Sequence, residues 1–312
     1  MWTWQHHRVL KLRVICPAEA TQTALDVLHR HPAATHLVVH RGVAVEPVGD
    51  VVYADLAREA ASEVMAELQA IPGGTGWAYT LENLDTTLSP YADEAERIAP
   101  GLGVDAVVWE EVESRTSEES ELSGSFVALL VLATLIAAVG ILIDSSVLIV
   151  GAMVVGPEFG PLAGLTVALV QRRWMLARRS LFALAIAFPA ASLAAFVLGA
   201  LVVGLDELPA AYAGEQRPLT AFISQPDGFA LLVALLAGVA GVVSLTSAKS
   251  AALVGVAVSV TTVPAAADIG VAAAAQRWSE CGGAAAQLAV NLVAIVLAGA
   301  VTLEVRRRGS RR

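Results

Sequence analysis

The hydrophobic positions of this chain change character near residue 125. Before it they recur at twos, or at threes and fours. Residues 8–16 (RVLKLRVIC) are apolar and β-branched and run into Pro17, which suits a strand followed by the first turn of a helix. Ala20, Ala24, Val27 and Leu28 make one stripe of a helix over 18–31, which Pro32 stops. Strands are expected over 35–41 and 49–56 across a Gly- and Pro-containing turn. A second helix over 58–71 places Ala61, Val64, Leu68 and Ile71 on one side and ends at Gly73-Gly74, and a last strand spans 76–88. The order β-α-β-β-α-β predicts an α+β ferredoxin-like domain over residues 1–90, a four-stranded sheet with both helices on one face.

After residue 125 the periodicity gives way to long apolar runs. Residues 126–143, 180–205, 229–248, 250–267 and 281–303 contain no Asp, Glu, Lys or Arg. Each is long enough to cross a hydrocarbon core of ~30 Å at ~1.5 Å per residue. With the interrupted run over 145–170 this predicts an α-helical polytopic membrane domain of six spans over 126–305, followed by a basic tail, 306–312. Between the two domains, residues 91–125 are strongly acidic, with Val104, Val108 and Val112 as a short apolar stripe. They read as a helical connector, either a solvated charge run or an acidic vestibule that concentrates cations at a pore mouth.

The interrupted run holds the chemistry. Gly156, Pro157, Glu158, Gly160 and Pro161 fall in its middle. Proline lacks a backbone donor and clashes with the preceding turn, and every backbone group freed in lipid needs a partner in protein or in a wet cavity. An acidic side chain at the same depth makes Glu158 a candidate for substrate or ion binding. The stretch 146–154 (SVLIVGAMV) aligns with 250–258 (SAALVGVAV) at an offset of 104, and the second copy also reaches a break, Thr261-Thr262-Val263-Pro264. Three spans separate the copies, so the spacing predicts a 3+3 inverted repeat with two Gly/Pro-broken spans, the plan of many secondary transporters. The competing account is chance likeness between two Ala/Val/Gly-rich segments. Gly156, Gly160 and Gly164 recur every four residues, and these glycines, with Gly255 in the second copy, predict close helix packing.

Composition sharpens this division. The chain is 56% hydrophobic with a net charge of −9. Residues 1–124 hold 8 Lys/Arg against 20 Asp/Glu, and the remainder 12 against 9. An acidic front is unsuited to nucleic acid. The ten basic residues Arg172, Arg173, Arg178, Arg179, Lys249, Arg306, Arg307, Arg308, Arg311 and Arg312 fall on one side of the expected spans. By the positive-inside rule both termini are cytoplasmic, which places the chain in the cell membrane. The opening residues lack the pattern of a cleaved leader, so the first span is expected to act as its own insertion signal. Two cysteines, Cys16 and Cys281, far apart, exclude a disulfide framework. The six histidines, His6, His7, His29, His31, His36 and His40, have no acid or cysteine at zinc-finger spacing and read as surface residues rather than metal ligands.

At 151–161 (GAMVVGPEFGP), 254–264 (VGVAVSVTTVP) and 291–295 (NLVAI) the chain resembles the domain-of-unknown-function family 389, an uncharacterised hydrophobic domain of prokaryotic membrane proteins. The resemblance spans roughly residues 120–305. Where the family pattern has Ala-Pro, this chain has Gly156-Pro157; Glu158 stands where an apolar residue is usual, and Pro264-Ala265 replaces a double proline. The resemblance implies a membrane core and brings no activity with it. The residues themselves predict a transporter or channel for an ion or small solute, as a homo-oligomer in the bilayer. Its site would be Gly156, Pro157, Glu158, Gly160, Pro161, Thr261, Thr262 and Pro264, with Asn291 and Asp268 secondary. Asn291 also reads as an interhelical hydrogen bond, and Asp268 as a residue of the outer interface. The alternative is a membrane sensor or assembly platform whose soluble domain binds a ligand or partner. No catalytic constellation, cofactor or metal site is expected.

Overall fold

The computed structural model describes residues 9–72, 76–84, 87, 89–99, 108–214, 217–246 and 261–309. It divides into two compact units, residues 1–112 with 246–248 and residues 113–245 with 249–312. His6, His7 and the segment 250–258, which contains Gly255, lie outside the described residues.

The first unit follows the expected element order. It runs β1 (Val9–Cys16), α1 (Thr21–Arg30), β2 (Ala34–Val45), β3 (Val48–Ala57), α2 (Ala61–Gln69) and β4 (Ala78–Asn83), with short 3-10 turns at Ala18–Ala20 and Arg58–Ala60 leading into the helices. The strands form one antiparallel sheet in the order β2-β3-β1-β4. Alternation in β1 decides its inner face: Leu10, Leu12, Val14 and Cys16 are buried with Ala24, Val27 and Leu28 of α1 and Val64, Met65 and Leu68 of α2. The β2–β3 register shifts between His40 and Ala44, where Gly42 takes φ +65°. The buried carboxylate of Asp50 fastens this bulge, accepting from Gly42 N at 2.8 Å and from Thr21 Oγ1 at 2.7 Å. These two donors hold its carboxyl below the usual carboxylate range.

Two boundaries differ from the expected ones. β2 continues to Val45 rather than stopping near 41, because pairing with β3 resumes past the bulge. β4 ends at Asn83, well before 88. In the acidic stretch after it, α3 (Pro90–Ile98) is capped by Ser89 and buries Ala92 and Ala95, while Ala99 and Val108 join the sheet's apolar core. α4 (Trp109–Glu119) carries the chain into the second unit.

That unit is helical: α5 (Gly124–Leu142), α6 (Ser146–Val155), α7 (Phe159–Gln171), α8 (Trp174–Gly204), α9 (Ala210–Ala213), α10 (Gly228–Thr246), α11 (Thr262–Ala274) and α12 (Trp278–Gly309). α5, α8, α10 and α12 are long and apolar enough to cross a membrane, and α6 with α7 makes a fifth segment bent by 56°. Outward-facing Leu181, Phe182, Leu193, Val197 and Leu201 of α8 are exposed, as on a surface solvated by hydrocarbon. These helices fit an integral membrane protein.

The described residues thus hold four or five candidate spans rather than six. Residues 250–260 of the expected fifth run are not described; the remainder begins a separate helix, α11, at Thr262 and runs on to Ala274. α8 starts at Trp174 and α12 continues to Gly309, so Arg178, Arg179 and Arg306–Arg308 lie within helices rather than in loops. α11 is buried nearly all round and packs on α5, α8 and α12. A helix apolar on every side belongs in a core, and α11 is the centre of this one.

Candidate functional site

The first break forms as proline chemistry requires. α6 ends at Gly156, whose N–H reaches Ala152 O at 3.1 Å, and Pro157 has no donor to carry the ladder further. Glu158 precedes α7, and Pro161 lies in that helix's first turn, where a missing N–H is tolerated. At the second expected break, Thr261 lies just outside α11 and Pro264 in its first turn, and the residues before Thr261 lie outside the described ones.

The two breaks meet. Thr262 Oγ1 donates to Glu158 Oε1 at 2.8 Å, joining residues 104 apart in the chain. Glu158 is only 3% exposed, and its Oε2 has no hydrogen-bond partner among the described residues. A Cβ on Gly156 would collide with this carboxyl group and with Val263, so the glycine makes room for the acid. The polar path continues from the neighbouring threonine: Asn291 Nδ2 donates to Thr261 Oγ1 at 2.9 Å, and Gln287 Nε2 donates to Asn291 Oδ1 at 3.0 Å. Gln287 and Asn291, four apart on α12, share one face of an apolar helix. That spacing was the available signal for Gln287, which the sequence reading passed over.

Gly160 and Gly164 serve packing instead. Gly160 lies against Glu119, and Gly164 against Ser120 and Ser180, leaving no room for a Cβ. Gly156 also meets a neighbouring helix, at Val263 of α11, and differs from them in seating the Glu158 carboxyl group as well.

A cavity of about 370 Å³ reaches this path. Phe222, Phe229 and Asp227 are exposed at its rim, Val233 and Ala234 of α10 form a wall, and Thr261 and the buried Asn291 lie at its inner end. Glu158 does not line the cavity and bonds Thr262, the residue next to Thr261 in the chain.

A second buried cluster also engages α11. Asp268 is fully buried and accepts from Arg217 Nη1 at 3.3 Å; Arg217 also pairs with Glu280, and Glu280 with Arg277 at 3.1 Å. Both guanidinium groups stack 4.6 Å from the Tyr212 ring centroid. Asp268, expected at the outer interface, is inside the helical core, where Arg217 pairs with it and Arg277 with the adjoining Glu280. At the opposite end of the helices, Arg307 Nη1 caps Val170 O at 3.2 Å, and Arg173 pairs with Glu113.

Elsewhere the histidines disperse: His31 pairs with Glu67 at 3.1 Å, and His36 bridges Asp55 and Ser89. Cys16 and Cys281 are both free thiols.

Residues 153–297 match the family described as Domain of unknown function (DUF389). The chain is also similar to the uncharacterized protein MJ0678 of Methanocaldococcus jannaschii, 25% identical over 239 residues, covering 77% of this chain and 71% of that protein. No solved structure matches the chain. The matched region contains both breaks, the cavity and Asn291.

Proposed function

We propose that this protein is a transporter or channel for an ion or small solute in the cell membrane, with a cytoplasmic ferredoxin-like domain that regulates it. One observation carries the reading: the Glu158–Thr262 hydrogen bond between the break before α7 and the start of α11, beside the Thr261–Asn291 bond that lines a cavity. A buried carboxyl group, two hydroxyls and an amide inside an apolar bundle are costly for stability alone, and such groups mark substrate or ion paths. Gly156 gives up a side chain to seat the acid, which supports a role for it beyond packing.

Glu158→Gln keeps the shape and removes the ionisable oxygen. In proteoliposomes it is expected to change flux of the transported species at least tenfold while the solubilised protein keeps its elution volume. Equal flux in both proteins, or no flux of any ion or solute by the unaltered chain, would sink the reading.

The basic residues at the Arg172 and Arg307 end support an orientation with both termini inside. Cys16 is completely buried and cannot report sidedness, so exposed sites serve better. On intact cells an impermeant maleimide should label Glu207→Cys, in the loop after α8, and not Glu19→Cys in the soluble unit. The reverse pattern would invert the topology.

A further inference from the structure

We infer that the cavity between Asp227 and Asn291 binds a small organic cation, an ammonium head on a short apolar body. This rests on the reading above for the cavity's place on a transport path, and adds the class of substrate.

The wall itself selects. Among the described residues its charged group is the carboxylate of Asp227, and no Lys or Arg lines it. Asp227 Oδ1 accepts from Ala230 N at 2.7 Å, capping α10, while Oδ2 takes no hydrogen bond among the described residues. An anion would face this carboxylate with no described Lys or Arg to offset the repulsion. A neutral apolar molecule would desolvate it without return.

An alkali cation needs a full shell of oxygens in place of its water. Among the described lining residues the polar side chains are three, Asp227, Thr261 and Asn291, and they share the wall with Phe222, Phe229, Val233 and Ala234. That arrangement cannot rehydrate a bare ion, yet it complements an alkylammonium. The nitrogen pairs with Asp227 and faces aromatic rings, the alkyl part lies on α10, and the Thr261 hydroxyl and Asn291 amide take a further polar contact.

The full chain in lipid nanodiscs can be titrated calorimetrically with n-butylammonium chloride, sodium butyrate, butan-1-ol and potassium chloride at constant ionic strength. Saturable binding of butylammonium is expected, with butyrate and butanol at least tenfold weaker and potassium not displacing it at equal concentration. Asp227→Asn and Asp227→Ser both retain a side chain that caps α10, and both should weaken butylammonium binding at least tenfold without lowering the thermal midpoint. Unchanged affinity in these variants would overturn the inference. So would butyrate or potassium binding as well as butylammonium, or no saturable binding across ethyl- to hexylammonium. Butylammonium binding without flux in proteoliposomes would retire the transport reading and keep the site. Flux of another solute that responds to Glu158→Gln, without ammonium binding, would do the opposite.

Discussion

Arg217→Ala is expected to destabilise the helical unit by about 3–5 kcal/mol, because it strands a carboxylate in the core. Asp268 is 0% exposed, and its only hydrogen bond among the described residues comes from Arg217. Glu280 keeps Arg277 and Tyr212 keeps one of its two guanidinium partners, so the loss concentrates on Asp268. Replacing both ends tests that account. Arg217→Met with Asp268→Leu removes the charges together and should recover most of the loss, since burying an ion pair costs desolvation that its attraction only partly offsets. Heating the detergent-solubilised variants and measuring the monodisperse fraction reads both effects. A single variant within about 0.5 kcal/mol of the unaltered protein, the spread of an ordinary surface change, would show that the pair contributes nothing. Asp268 shares α11 with Thr262, so the single variant should also weaken the junction with Glu158.

Gly270→Ala should be the next most damaging change, and it goes against the usual preference. Alanine in place of a helical glycine normally stabilises by about 1 kcal/mol. At Gly270 a Cβ would lie 2.6 Å from Phe196 N and 2.7 Å from Ala195 Cβ, and would also collide with Ser192 O, all on α8. Two of these contacts are backbone atoms, which cannot rotate away, so α8 and α11 must separate. Overpacking of this kind costs about 1–3 kcal/mol and outweighs the propensity gain. Gly270→Val should abolish the folded fraction on solubilisation. Gly151 on α6 is the internal control: no atom of the described residues lies within 4 Å of its would-be Cβ, and Gly151→Ala should be neutral or stabilising. If both alanine variants behave alike, helix separation at Gly270 is not what limits stability.

Where the chain reports on itself, it does so through period and through proline. The alternation in β1 and the stripe Ala24-Val27-Leu28 place the sheet and α1 correctly, because those side chains choose a face by local geometry. The break between α6 and α7 was equally legible, since Pro157 and Pro161 act on their own neighbouring turns. Even the offset of 104 reappears, as the separation of Glu158 and Thr262 across their hydrogen bond. Tertiary structure alone decided the rest. The three evenly spaced glycines looked equivalent, yet Gly160 and Gly164 admit only neighbouring segments while Gly156 admits a carboxyl group beside Val263 of α11. Gln287 looked like one polar residue in an apolar run and Asp268 like a residue of the outer interface, while nothing in the pattern singled out Arg217 or Arg277. Their roles depend on partners 4 to 65 positions away. Hydrophobic pattern encodes which face of an element is buried, and it carries no record of which other element arrives to bury it.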